Sequence, residues 1–178
     1  LQMYLTVHWT MKVQPLSTLI PLYHNQIGHH LKWWLNREYT RGGVILDTPE
    51  PQCLMYSDAS KSGWGAHVDH LRSQGTWNHS QSNFHINLLD LLAVKYALEE
   101  FKHYLKGKSI MLMTDNTSVV YYIKKQGGTK SIPLFLLARE ILTLAQTQNM
   151  VIQVKHVPGK KNVIADLLSR QDKIVHTE

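Results

Sequence analysis

A single cysteine, Cys53, stands in the 178 residues, which excludes any intrachain disulfide framework and suits a reducing compartment. At the head of a strand-like run it reads as a small buried apolar residue. Long hydrophobic runs are missing as well. Nothing approaches the roughly 20 apolar residues of a membrane span, so no membrane partner is expected. The opening stretch LQMYLTVHWT lacks the basic segment and cleavage site of a secretory signal. The expected setting is therefore intracellular and not secreted, and there the sequons at Asn78 and Asn116 have no use. Leu1 in place of an initiating Met suggests a piece excised from a longer protein. Repeats and low-complexity tracts are absent. Acid is the scarcer charge, 13 Asp and Glu against 19 Lys and Arg, for a formal +6 and a pI near 9.4. That balance favours a polyanionic partner, as a prompt only, because many basic proteins bind no nucleic acid.

The length fits one ordinary domain with an appendage, and a hydrophobic content of 43% supplies a core. Residues 1–50 are irregular: LQMYLTVHW reads as a short helix, Pro15 and Pro21 punctuate the next stretch, and IGHHLKWWLNREY reads as an amphipathic helix ending before Arg41-Gly42-Gly43. His24, His29 and His30 have no Cys or carboxylate at ligand spacing, which favours a solvated helix face over a metal site. From residue 53 the pattern sharpens. CLMYSD, GWGAHVD and GTWNHS read as three closely spaced strands of an antiparallel meander. INLLDLLAVKYALEEFKHYL reads as one long buried helix with Asn87 as its N-cap. SIMLMTDN gives a fourth strand, and SVVYYIKKQGG a helix stopped by Gly127-Gly128 with Lys124 and Lys125 against its C-terminal dipole. IPLFLLAREILTLAQTQ is a further helix, MVIQVKHV a fifth strand, and NVIADLLSR a last helix after the Pro158-Gly159 turn. The order implies an α/β fold, a five-stranded mixed sheet of three antiparallel strands and two more, flanked by helices over residues 51–171, with 172–178 as a C-terminal tail.

Four acids fit this scheme poorly as structural residues. In MYSDASKSGWGAHV, Asp58 puts a carboxylate inside a strand, where Asp is depleted and buried charge is costly. Asp115 ends the fourth strand, Asp90 lies among leucines in what reads as the first turn of the long helix, and Asp166 lies in the closing helix. Singly, each has a structural reading as a turn residue, a cap (Asp115 or Asn116) or a favourable charge near a helix N-terminus. Together, two acids at strand ends and two near helix starts can converge on one patch, where mutual repulsion would be severe unless a cation sat among them. Magnesium takes oxygen ligands and keeps waters and phosphates in its shell. Two such ions about 3.5–4 Å apart activate an attacking water and stabilise the leaving oxygen of a phosphodiester.

At these residues the chain resembles the ribonuclease H domain of a retroelement reverse transcriptase. YSDAS with GWGAHV resembles the first two strands of that family, HINLLDLLAV its acid-bearing helix, MTDNTSVVYYI its third acid and following helix, and HVPGKKNVIADLLSR its closing segment. The combination is most similar to DIRS-like and gypsy-like retrotransposons and covers residues 52–171 in order. The resemblance implies hydrolysis of the RNA strand of RNA/DNA hybrids with two Mg2+ ions, Mn2+ being a possible substitute. It places Asp58, Asp90, Asp115 and Asp166 as catalytic metal ligands. It places His156 as a catalytic group for proton handling or product release and Asn87 as a substrate contact. A strand-end histidine and a helix cap stay open as their other readings. Residues 1–50 become a connection left from the polymerase side, with the polymerase domain of the same polyprotein as a partner.

Lys160 and Lys161, just before the last acid, suit phosphate contacts or a solvated turn equally. Trp64 and Trp77 read as core residues rather than base-stacking platforms. One departure matters. The helix acid of the family is usually Glu, and Asp90 is one methylene shorter, a withdrawal of roughly 1.5 Å, comparable with the helical rise per residue. A catalytic misplacement of about 1 Å can cost about 10²-fold. The alternative is therefore a catalytically weak or inactive module of the same fold that binds nucleic acid or plays a structural part. An integrase-like DNA nuclease of the same broad fold is a third reading, against which the HVPG…N…AD ending speaks.

Overall fold

The computed structural model describes residues 2–9, 13–37, 47–128 and 130–171. Two compact units divide the chain, residues 1–48 and 49–178. In the first, helix α1 (Gln2–His8) and helix α2 (His24–Leu35) are joined by a proline-punctuated stretch. There the Tyr4 hydroxyl donates to the carbonyl of Pro21 and accepts from the Tyr23 amide at 3.1 Å. The helix stop at Arg41-Gly42-Gly43, the side chains of His29 and His30, and the 172–178 tail lie outside the described residues.

The second unit holds a five-stranded sheet in the order β3-β2-β1-β4-β5. Its strands are β1 (Cys53–Ala59), β2 (Gly63–Val68), β3 (Leu71–Thr76), β4 (Ser109–Thr114) and β5 (Val151–His156). β1, β2 and β3 pair antiparallel, while β4 and β5 run parallel to β1. The mixed character follows from the connections. Short turns can only return a strand antiparallel, whereas β1 to β4 and β4 to β5 are bridged by helices.

Those helices are α3 (Ile86–Glu100), a short α4 (Lys102–Leu105), α5 (Thr117–Lys124) and α6 (Ile132–Thr147), with α7 (Val163–Ser169) after β5. α3 is apolar on more than one stripe because it is sandwiched: it packs on β1 and β2 and also on α6, burying Leu89, Leu91, Val94, Ala97 and Leu98. On the sheet, Met55, Ala66, Val68, Ile110 and Leu112 complete this core. Cys53, Trp64 and Trp77 are buried in it too, and Trp64 and Trp77 both lean on Tyr96.

Beyond shifts of a residue or two at element ends, α2 runs His24–Leu35 rather than 27–39, and the second unit differs from the sequence reading at three points. The third strand is Leu71–Thr76 rather than GTWNHS: Val68 pairs with Leu71 across a two-residue turn of Asp69 and His70, with Asp69 at φ 49°. Asp tolerates that left-handed conformation and so closes the hairpin. β3 is a sheet edge, so its polar alternation hides it from a search for apolar runs. The long helix does not reach Leu105; it breaks at Phe101, which turns into the core at 5% exposure. The N-cap of α3 is His85, whose Nδ1 accepts from the Asn87 amide at 3.2 Å, and not Asn87.

α7 covers the other face of the sheet, against β1 and β2. Its approach depends on Gly65. A Cβ there would lie 2.3 Å from Leu168 Cβ and 2.6 Å from the Ala165 carbonyl oxygen. Gly65→Ala therefore forces α7 off the sheet. The expected cost is about 1–3 kcal/mol of stability, read as a lowered denaturation midpoint.

Candidate active site

The C-terminal ends of the parallel strands β1 and β4, with helices α3 and α7, bring the four acids to one end of the sheet. Asp58 is the penultimate residue of β1 and points to the α7 side, where the Ser169 hydroxyl donates to its Oδ2 at 2.7 Å. Asp90 sits in the second turn of α3, one residue beyond the first turn expected from the sequence. From there its Oδ1 accepts the Ala59 amide at 3.0 Å and its Oδ2 accepts Asn116 Nδ2 at 2.6 Å. Both carboxylates are buried, at 8% and 6% exposure. Asp115 follows β4 directly and is exposed. Asp166, in the first turn of α7, pairs with Arg170 Nε at 2.8 Å.

Burial is the main force on the two inner acids. It pushes Asp58 up to about 6 against the opposing Ser169 hydrogen bond, and the charges of Asp115 and Asp166 push the same way. Asp90 is pushed up to about 7, first by burial and then by Asp58 and Asp115, against the Asn116 hydrogen bond. Asp58 thus lies within electrostatic reach of Asp90, Asp115 and Asp166, so a positive charge placed among them would relieve a repulsion that the fold maintains.

The donor chemistry fits a hard divalent cation, being all carboxylate oxygen. The placement is looser than a finished ligand cage: among the described residues no three such side chains converge to hold an ion as they stand. Ser169, Asn116 and Arg170 satisfy the carboxylates instead.

His156 is the last residue of β5, opposite Thr114, and its Nε2 lies 3.0 Å from the Asp115 carbonyl oxygen. Asn87 is on α3 beside Asp90, and its Oδ1 accepts from Asn116 Nδ2 at 3.0 Å. Lys160 and Lys161 are exposed in a 3-10 turn, Gly159–Lys161. Gly159 opens that turn next to Asp115: a Cβ there would lie 2.9 Å from Asp115 Oδ2.

Three further residues organise the site. Asn116, read from the sequence only as a helix cap, does cap α5 through Oδ1, which accepts from the Ser118 and Val119 amides at 2.8 and 3.3 Å. Its Nδ2 at the same time ties Asn87 and Asp90 together. Asn162, fully buried, donates to the Ser57 carbonyl at 3.1 Å and fastens the turn before α7 to β1. Ser169 holds Asp58. Short-range sequence signals cannot reveal the last two, since their partners lie more than 100 residues away. Asn116→Ala removes the cap and leaves Asp90 short of a donor. It is expected to cost about 1–2 kcal/mol in thermal or denaturant unfolding.

Comparison with known proteins agrees with this architecture. Residues 48–146 match the model of the RNase H-like domain found in reverse transcriptase. The enzymatic polyprotein of Cassava vein mosaic virus is 27% identical over 167 residues, 91% of this chain and 24% of that protein. That of Figwort mosaic virus is 29% identical over 139 residues, 71% of this chain and 20% of that protein. The chain thus spans a quarter or less of the curated relatives it matches. Among solved structures, LC11-RNase H1 in complex with an RNA/DNA hybrid superimposes with a TM-score of 0.59 at 16% identity, over 68% of this chain and 96% of that one. RNase H1 of Halobacterium salinarum gives 0.55 at 20% identity, over 67% and 95%. These two show the fold, and the matched residues, more than half of the chain, show the family: the protein belongs to the RNase H-like domains of reverse transcriptases.

Proposed function

We propose that residues 51–171 form an endonuclease that hydrolyses the RNA strand of RNA/DNA hybrids, as the ribonuclease H part of a reverse transcriptase polyprotein. The observation that carries this reading is the meeting of four carboxylates at one end of an RNase H-like sheet, two of them buried and held up in pKa by burial and by their neighbours. Asp58, Asp90, Asp115 and Asp166 would hold the divalent ions. When bound, such ions supply an activated water and charge stabilisation at the departing oxygen. The chain's own contribution is positioning and electrostatics. β1 and α7 fix Asp58 between them, Asn116 steers Asp90, and the exposed Asp115 and half-exposed Asp166 meet the incoming strand. His156, exposed and anchored on the Asp115 backbone, stands where a proton can be passed to solvent. Asn87 would contact the substrate, and Lys160 and Lys161 its phosphates, recognition resting on hybrid geometry rather than on base sequence. Residues 1–50 would be the connection to the polymerase domain, the partner within the polyprotein, with 172–178 as a tail.

A second reading has a specific observation behind it. Asp90 is short, and both its oxygens already accept protein donors, which suits a module that keeps the fold and binds nucleic acid without turnover. Strand-specific labelling separates the two. Incubation of a hybrid with Mg2+, with Mn2+ and with chelator is expected to yield cuts in the RNA strand alone, and only with metal. Hybrid binding that ignores the metal and falls steeply with salt, with neither strand cut, selects the second reading.

A further inference from the structure

The sheet face that carries Asp58 is only partly covered. α7 occupies its β1–β2 end, backed onto Gly65. One register step away, side chains from all five strands stand in a line. The pairings set Arg72 opposite His67, His67 opposite Tyr56, Tyr56 beside Met113, and Met113 beside Lys155. Arg72 and Lys155 lie on the two edge strands and are exposed, and neither makes an ion pair or hydrogen bond among the described residues. Between them the rings of Tyr56 and His67 stack at 4.7 Å with 5° between their planes. Leu54, on the same face of β1, is 46% exposed.

Three acids lie near this line and two of them are engaged, while Asp115, two residues beyond Met113, is exposed at the carboxylate end. Asp58 is buried and bonded to Ser169. Asp69, in the hairpin turn, accepts the Tyr104 hydroxyl at 2.5 Å. The line is therefore a half-exposed aromatic and thioether strip ended by two exposed cations without an ion pair among the described residues. At about 4.8 Å between strands it is roughly 19 Å long, some five or six steps of a stacked strand at about 3.4 Å each. Core packing does not require such a strip. A cationic track with aromatic side chains along it is the chemistry that holds single-stranded nucleic acid.

We infer that this strip binds a single strand of nucleic acid, its phosphates meeting Arg72 and Lys155 and its bases lodging against the Tyr56–His67 pair and Met113. The strip also continues toward the carboxylates: Lys160 and Lys161 follow Lys155 in the chain, in the turn that opens beside Asp115. A single-stranded extension of a substrate held at the carboxylates is thus within reach of it. Binding here needs no divalent ion and no hybrid geometry, so it stands or falls separately from cleavage.

The test is fluorescence anisotropy of labelled single-stranded DNA and RNA of about twelve nucleotides, in chelator, across a salt series. Arg72→Ala and Lys155→Ala are each expected to flatten the slope of log affinity against log salt by about 0.7 while leaving hybrid cleavage at the wild-type rate. Tyr56→Ala is expected to weaken binding about tenfold with the slope unchanged. Because Tyr56 is half-buried, circular dichroism accompanies that variant; if it unfolds, the two surface variants decide. Salt slopes identical to wild type in both Arg72→Ala and Lys155→Ala would overturn the inference. So would a saturable preference for an acidic, apolar peptide over either oligonucleotide, which would mark the strip as a protein-docking surface.

Discussion

Asp58→Asn and Asp115→Asn are each expected to reduce cleavage of the RNA strand by at least about 10²–10³-fold, the scale on which loss of one charge-stabilising group is felt, with the circular dichroism spectrum unchanged. Asn at position 58 keeps the size of Asp and can still accept the Ser169 hydroxyl through its single oxygen. What disappears is the negative charge, and with it part of the repulsion from Asp115 and Asp166 that now raises Asp58. The fold therefore has little to lose. Asp115 is exposed beyond the end of β4, so its replacement reaches few packed neighbours. Full cleavage by both variants would remove the carboxylates from the chemistry altogether.

Metal-free protein is expected to lose stability as pH rises from 4 to 8, and divalent ions should restore it. Asp58 and Asp90 have folded pKa values of about 6 and about 7, against an ordinary 3.8. Their carboxyls therefore stay protonated in the folded state over a range where the unfolded chain has already released those protons. With more protons on the folded state, unfolding free energy falls as pH climbs. The protonated form stabilises the fold fully below about pH 4, and the contribution is gone once pH passes about 7. The change is on the order of 7 kcal/mol for the two groups together. Urea unfolding in chelator at a series of pH values measures it, with Asp58→Asn combined with Asp90→Asn as the reference that lacks both groups. The wild-type difference from that reference should shrink when Mg2+ or Mn2+ is added at pH 8, since a ligand of the native state stabilises by mass action. A wild-type profile parallel to the reference would show that the two buried acids do not titrate as their surroundings demand.

Much of the fold is legible because its signals are local. Apolar runs closed by Gly and Ser mark β1 and β2, the Pro158-Gly159 turn marks the start of the last helical segment, and Asn116 caps α5 as its position suggests. β3 escapes because Arg72, Ser73 and Gln74 carry no apolar alternation, and only its pairing with β2 makes it a strand. The break at Phe101 escapes for the opposite reason: the helical periodicity runs straight through it, and the core alone decides the turn. At the site, the four acids stand out in the sequence only together, since each alone has a structural reading, and Asp58 is the one whose place inside a strand is costly. The groups that hold them do not stand out. Ser169 and Asn162 act across more than 100 residues of chain, and the cross-strand line from Arg72 to Lys155 exists only once the register of five strands is known. Asn87 shows how one residue type serves two geometries: an asparagine at a helix start is a good cap, yet here His85 caps and Asn87 faces Asn116.

As the proposed cation-dependent centre for cutting RNA, the four acids are weakest at the short Asp90. The most direct test is the rate of RNA-strand cleavage in a strand-labelled hybrid with Mg2+, wild type beside Asp90→Glu. The predicted result is metal-dependent cuts in the RNA strand by the wild type and a faster rate, about 10²-fold at most, with the longer Glu side chain. No cleavage by either protein, with both shown to be folded by circular dichroism, would contradict the account and leave a nucleic-acid-binding module in its place.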